Sequence, residues 1–141
     1  MKFKNCFDLR VLGIIGSILL IITEFLPWFS DRSCLDIYLL YTVVAVEDSF
    51  LYLFPLISGI IGLIGSILIL YSEEFRINSV IISFLGLGFL TFFLFKIVSS
   101  DLFLISNISV GFYLCLVGFL IVVINVILIL RMKDLIFSEG N

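Results

Sequence analysis

The chain reads as an all-α membrane protein: a four-transmembrane-helix bundle with a small extracellular β-element in the first outer loop. Three observations predict that class. Four apolar runs, over about 11–29, 52–71, 77–98 and 109–130, each match the ~20 residues that a helix rising ~1.5 Å per residue needs to cross a ~30 Å hydrocarbon layer. Of the 141 residues, 62% are hydrophobic and 13% charged, with a mean hydropathy of +1.34, which is more apolar surface than a soluble domain can hide. The polar residues fall into short connecting pieces, so 1–141 is expected to form one bundle with at most a small cap.

The first run follows Lys2, Lys4 and Arg10, as the core of a cleavable signal peptide would. Its core is longer than a usual signal core and lacks a small-residue exit. It ends in Phe25-Leu26-Pro27-Trp28-Phe29, a helix stop followed by aromatic rings suited to the headgroup boundary. An uncleaved first span is therefore expected. The outer loop 30–51 comes next, and its stretch 37–46 is rich in β-branched and aromatic residues, which favour strands. This predicts a short extracellular hairpin or paired strand resting on the bundle; an amphipathic helix in the headgroup layer and a re-entrant segment are the competing arrangements. Phe54-Pro55 opens the second span, the tight turn 72–76 separates it from the third, and the loop 99–108 supplies either a partner strand or a turn before the fourth.

Basic residues near span ends are retained in the cytoplasm. With the amino terminus inside, Lys2, Lys4, Arg10, Arg76, Arg131 and Lys133 are cytoplasmic and only Arg32 and Lys96 are outside. A multi-pass protein of the cell membrane with both termini cytoplasmic is expected.

No hydrophobic force draws spans together in lipid, so small residues that let backbones approach supply much of the packing. Gly13, Ser17, Leu20 and Glu24 share one face of the first helix, and Ser58, Gly62 and Ser66 one face of the second. The third carries Ser79, Ser83 and Gly86, and the fourth carries Gly111, Cys115, Gly118 and Asn125. These faces are expected to form the inner seam, with Asn125 turned toward neighbouring helices. Glu24 and Lys96 are the ionisable residues closest to the membrane interior, where a central charge costs ~2.5–3.5 kcal/mol. Both belong to the outer half of the bundle. Either they pair, or Lys96 snorkels while Glu24 bonds to loop backbone.

Several chemistries lack their residues. There is no histidine, hence no imidazole for haem ligation or for a catalytic triad. No Cys-x-x-Cys pair supports a thiol relay, and no glycine-rich phosphate loop follows a strand. The loop carboxylates Asp31, Asp36, Glu47 and Asp48 are not spaced as a cation loop. Cys6, Cys34 and Cys115 are expected at different depths and so unable to form an internal disulfide. The net charge of −3 and pI near 4.7 leave no basic stripe for nucleic acid. Neither an enzyme nor a cofactor is expected.

The Pro27-Trp28 end of the first span, the sizeable outer loop, Phe54-Pro55 and the Gly111-Phe112-Tyr113-Leu114 opening of the fourth span together resemble small four-span membrane proteins of prokaryotes. The short first tail and larger first outer loop are also similar in outline to claudin-like tetraspans. The claudin Gly-Leu-Trp motif with two loop cysteines is missing, Cys34 standing alone, so the resemblance implies a fold and no activity. A noncatalytic structural or accessory role is expected, exercised through helix and outer-loop contacts with copies of itself or a larger membrane-protein complex. The alternative is a small proton-coupled transporter using Glu24, superficially similar to the small multidrug resistance family, from which the long first loop and the position of Glu24 near Pro27 depart. Ser17, Ser66, Ser83, Thr91 and Asn125 are too few to line a wet pore.

Overall fold

A computed structural model describes residues 9–100 and 106–138. Helix α1 covers Leu9–Thr23, and short strands β1 (Pro27–Phe29) and β2 (Arg32–Ser33) follow. Next come α2 (Cys34–Val44), α3 (Val46–Ser49) and a 3-10 turn at Phe50–Leu53. Helix α4 covers Phe54–Tyr71, a second 3-10 turn covers Glu73–Phe75, and the long helices α5 (Arg76–Ser100) and α6 (Val110–Ser138) are the last described elements. Among the described residues, three stretches are long and apolar enough to cross a membrane, Val46–Tyr71, Glu73–Ile97 and Val110–Arg131, which correspond to the second, third and fourth apolar runs.

The first run departs from the expected continuous helix over 11–29. Its helix is 15 residues long and stops at Thr23. The amides of Glu24, Phe25 and Leu26 donate to the carbonyls of Ile21, Ile22 and Thr23 at 3.3, 3.1 and 3.2 Å, winding the last turn into tighter 3-10 geometry. Pro27 then has no N–H to continue the ladder. Trp28 folds back so that its Nε1 donates to the Thr23 carbonyl at 2.6 Å, satisfying an oxygen that the helix end leaves free.

A two-stranded sheet exists, yet not in the 37–46 stretch where strand was expected. That stretch belongs largely to α2. Ser33 and Asp36 form a reciprocal capping box: Asp36 N donates to Ser33 Oγ at 3.1 Å, and Ser33 N donates to Asp36 Oδ2 at 3.1 Å. A cap that satisfies helix-terminal amides outweighs the ~1 kcal/mol span of strand propensity, which depends on context. The sheet sits earlier, pairing Pro27 with Ser33 and Phe29 with Arg32 around Ser30, whose φ is +55°. It also gathers the segment that leads into α6. Phe29 forms a bridge to Ile108, Ser30 N donates to Asn107 O at 2.9 Å, and Ser109 N donates to Trp28 O at 2.8 Å.

Helix α1 packs on both α4 and α6, and α4 packs on α5, whereas α5 and α6 meet much less closely. Exposed large apolar side chains cover the outside of the bundle. Gly13, Gly16, Ser17, Gly59, Gly62, Gly65, Ser66, Ser83 and Gly118 are buried, while Ile18, Ile64, Ile81, Phe95, Leu120 and Ile127 are exposed. Small residues are concentrated at the close helix contacts beside buried Leu20, Ile69, Leu90, Phe93 and Ile129, while many other large apolar side chains face outward, as in helices whose solvent is hydrocarbon.

Candidate functional site

The seam between α1, α4 and α6 is built from missing side chains. A methyl group at Gly62 would lie 2.7 Å from Ser17 Oγ, and one at Gly16 would lie 3.2 Å from the Gly118 carbonyl. The second distance sets main chain against main chain, with no side chain able to yield. Gly111 is equally tight, since a methyl there would sit 2.6 Å from Trp28 Cδ1 and 2.8 Å from the Pro27 carbonyl. The seam residues expected from the sequence, Gly13, Ser17, Ser58, Gly62, Ser66, Gly111 and Gly118, are all buried. Ser66 Oγ donates to Gly62 O on its own helix at 2.8 Å, and Ser79 Oγ reaches across from α5 to Gly65 O at 2.6 Å.

Asn125 projects from α6 into the notch left by Gly13, beside Ser66 Oγ. It is 1% exposed, and neither its Nδ2 nor its Oδ1 has a hydrogen-bond partner; Ser17 Oγ is in the same condition. Buried polar atoms in this state cost ~1–3 kcal/mol each, so the middle of the seam retains unused hydrogen-bonding capacity.

Glu24 occupies the other end. It is fully buried, and neither carboxyl oxygen has a partner at hydrogen-bond geometry, although the Leu56 backbone amide is close enough to act on it. The Leu35 amide donates to the Glu24 backbone carbonyl at 3.4 Å, which closes α2 over the residue. Lys96 is exposed on α5 and makes no ion pair with Glu24 or any other described residue. The pairing considered from the sequence is therefore not formed: 3-10 winding after Thr23 turns Glu24 inward, while the α5 register turns Lys96 outward. Bonding of the Glu24 side chain to loop backbone is likewise not made.

The cysteines also need correction. Cys34 and Cys115 were expected at separate depths, yet both are free, wholly buried neighbours of Glu24. The reason is position along the helix. Cys115 lies only about a turn and a half into α6, and α2 tucks Cys34 beneath the cap. Burial pushes the Cys34 thiol well up from its ordinary pKa, with Glu24 and Cys115 adding to the effect, so it stays a protonated, unreactive group. Asp36, at the α2 cap, moves the other way: hydrogen bonds from the Ser33 hydroxyl and then the Ser33 amide hold its carboxyl below the usual range. Cys6 lies outside the described residues.

Above Glu24 sits the cap. Trp28, with no exposed surface, packs edge-on against Phe93 and Phe112 at ring distances of 5.4 and 5.9 Å. Tyr52 stacks between Tyr41 of α2 and Phe93 of α5 at 5.5 and 6.3 Å. The rest of α2 is bare: Leu39, Leu40, Val43 and Val44 are exposed, the last two at 87% and 78%. The sequence favoured strand here and held helix as the competing arrangement; Ser33-Cys34-Leu35-Asp36 carried the capping signal that decides for helix. No group of three or more His, Cys, Asp and Glu side chains able to hold a metal occurs among the described residues. No family model, curated protein or solved structure matches the chain.

Proposed function

We propose that this is a noncatalytic integral membrane protein that crosses the bilayer four times, with both termini cytoplasmic, and serves as a structural or accessory component by docking another membrane subunit against its outer cap. The fourth crossing is supported by how α1 lies along α4. Arg10 pairs with Glu73 at one end, Gly13 meets Ser66, Ser17 meets Gly62, and Glu24 approaches Leu56 at the other. From 56 to 73 is roughly 26 Å of helix at 1.5 Å per residue, close to the ~30 Å hydrocarbon thickness. Termination at Thr23 shortens the helix without shortening the path, because β1 carries the chain onward.

The observation that carries the accessory role is α2, an apolar helix outside the bundle whose Leu39, Leu40, Val43 and Val44 are left exposed by the rest of the chain. A seam filled backbone against backbone argues against a conduit, and an exposed apolar helix argues for contact. The test is Val43→Cys in native membranes, followed by thiol cross-linking and identification of the adduct. A single membrane protein cross-linked in good yield, and lost from mild-detergent isolates of Val43→Asp/Val44→Asp, is the expected result. Absence of any adduct, together with full labelling of the introduced thiol by a lipid-phase reagent, contradicts the docking role.

One observation favours a second reading, proton-coupled transport. Glu24 is an enclosed carboxyl with two unpartnered oxygens, the kind of intramembrane acid that carries protons in transporters. Proton-dependent substrate flux in liposomes that vanishes in Glu24→Gln would establish this reading over the first.

A further inference from the structure

The loosest side of the bundle has a defined shape. Two apolar grooves flank the outward ridge of α5. One, of about 570 Å³, opens between α5 and α6 and is lined by Leu87, Thr91, Phe95, Phe119 and Val123; the other, of about 430 Å³, runs beside Phe54, Leu85 and Phe89. They share Phe84, Gly88 and Phe92. Between them Gly88 leaves a gap, for a methyl group there would meet nothing within 4 Å.

Phe84, Gly88 and Phe92 recur every fourth residue, and the next position on that stripe is Lys96. Its side chain is exposed, with no ion-pair or hydrogen-bond partner among the described residues. From Phe84 to Lys96 the helix rises roughly 18 Å at 1.5 Å per residue, against about 15 Å for one half of a ~30 Å hydrocarbon layer. Lys96 therefore stands at the headgroup level when Phe84 stands near the midplane. Each groove falls within the usual range of ~300–1,000 Å³ for ligand sites.

We infer that these paired grooves seat one anionic diacyl phospholipid of the leaflet on the Lys96 side, one acyl chain to each side of Gly88 and the phosphate against the Lys96 ammonium. Two adjoining apolar channels suit two chains joined at one headgroup. The exposed Lys96, one turn beyond Phe92 and without a side-chain partner among the described residues, supplies the charge complement that a neutral groove for a partner helix would not need. The weak contact between α5 and α6 leaves an opening for a chain to enter sideways from the bilayer. This inference rests on the bundle lying in a membrane and is independent of whether α2 docks a partner.

The test uses the full chain in nanodiscs of phosphatidylcholine and phosphatidylglycerol in equal parts, with incorporation verified first and retained lipid then read by native mass spectrometry. One retained lipid per chain is expected, with phosphatidylglycerol preferred about fivefold, the effect of one basic residue beside an anionic headgroup. Gly88→Leu, which puts bulk into the grooves from a position where a Cβ meets nothing within 4 Å, should abolish retention while its thermal unfolding matches that of the unaltered chain. Lys96→Gln, an exposed change that leaves folding intact, should retain a lipid without headgroup preference. Retention unaffected by Gly88→Leu, a preference unaffected by Lys96→Gln, or a dimer in place of a lipid adduct would each overturn the assignment. Failure of the chain to enter nanodiscs at all would instead count against the membrane bundle itself.

Discussion

Two sides of this bundle obey opposite packing rules. Where α1 meets α4 and α6, glycines bring main chains together, and a methyl at Gly16 would come within 2.8 Å of Val122 Cγ2 and 2.9 Å of Ile121 Cγ2. Where α5 faces α6, Gly88 looks onto open space and phenylalanines splay outward. The same residue type marks a locked contact on one side and a vacant one on the other. A glycine in a membrane helix therefore says little until the atoms a Cβ would meet are known.

The largest effect is expected at the Trp28 end of the locked side. Trp28→Ala removes a wholly buried ring and the bond to Thr23 O, and a loss of ~3–5 kcal/mol is expected in reversible unfolding in mixed micelles. A change under about 1 kcal/mol would show that the cap is not part of the cooperative unit. Gly16→Leu comes next, at ~1–3 kcal/mol for overpacking against Gly118 and Val122. If it proved neutral, the α1–α6 approach would have to be wider than described.

The α2 cap gives an intermediate case. Ser33→Ala is expected to cost ~1 kcal/mol of local α2 stability, read by amide exchange over 34–44. The pH dependence follows from the lowered Asp36 carboxyl. A depressed acid contributes stability that is present above its unfolded pKa, about 4, and lost as pH falls through the lower folded value. Protection of α2 should therefore weaken below about pH 4 in the unaltered protein, and do so much less in Asp36→Asn. Equal acid sensitivity in both would remove the capping box from the explanation of α2.

Smaller effects sharpen the comparison. Ser79→Ala deletes the hydrogen bond from α5 to Gly65 O, for which ~0.6 kcal/mol is expected, the average for such bonds between membrane helices. Gly88→Leu on the open side should change stability by less than about 0.5 kcal/mol. Were it as damaging as Gly16→Leu, the two sides would not differ.

Much of this fold is legible in the sequence. The second, third and fourth apolar runs became long membrane-length helices because hydropathy over ~20 residues reports directly on transfer to hydrocarbon. The buried seam positions were legible for a related reason, since Gly13, Ser17, Ser58, Gly62, Ser66, Gly111 and Gly118 repeat at helical spacing and are buried beside larger residues such as Leu20, Ile69 and Val122. The misreadings arose where local chemistry overrode composition. Pro27 and the backward bond of Trp28 ended α1 early, and the Ser33–Asp36 box made a helix of a strand-prone sequence. The burial of Glu24 beside Cys34 and Cys115 was hidden because it depends on how α2 folds over the bundle, a contact that periodicity along one helix does not encode. Lys96 was visible in the sequence as a cation near a span end; the two grooves along Phe84, Gly88 and Phe92 were not, because one of them depends on the gap between α5 and α6.

The most direct measurement concerns the depth of α1, since the locked seam exists only if that helix crosses beside α4. An amino-terminal epitope and Asp31→Cys can be probed in sealed cells with a membrane-impermeant antibody and thiol reagent. The account predicts that the introduced thiol labels from outside while the epitope stays protected until the membrane is opened. Access to both from the same side would contradict it.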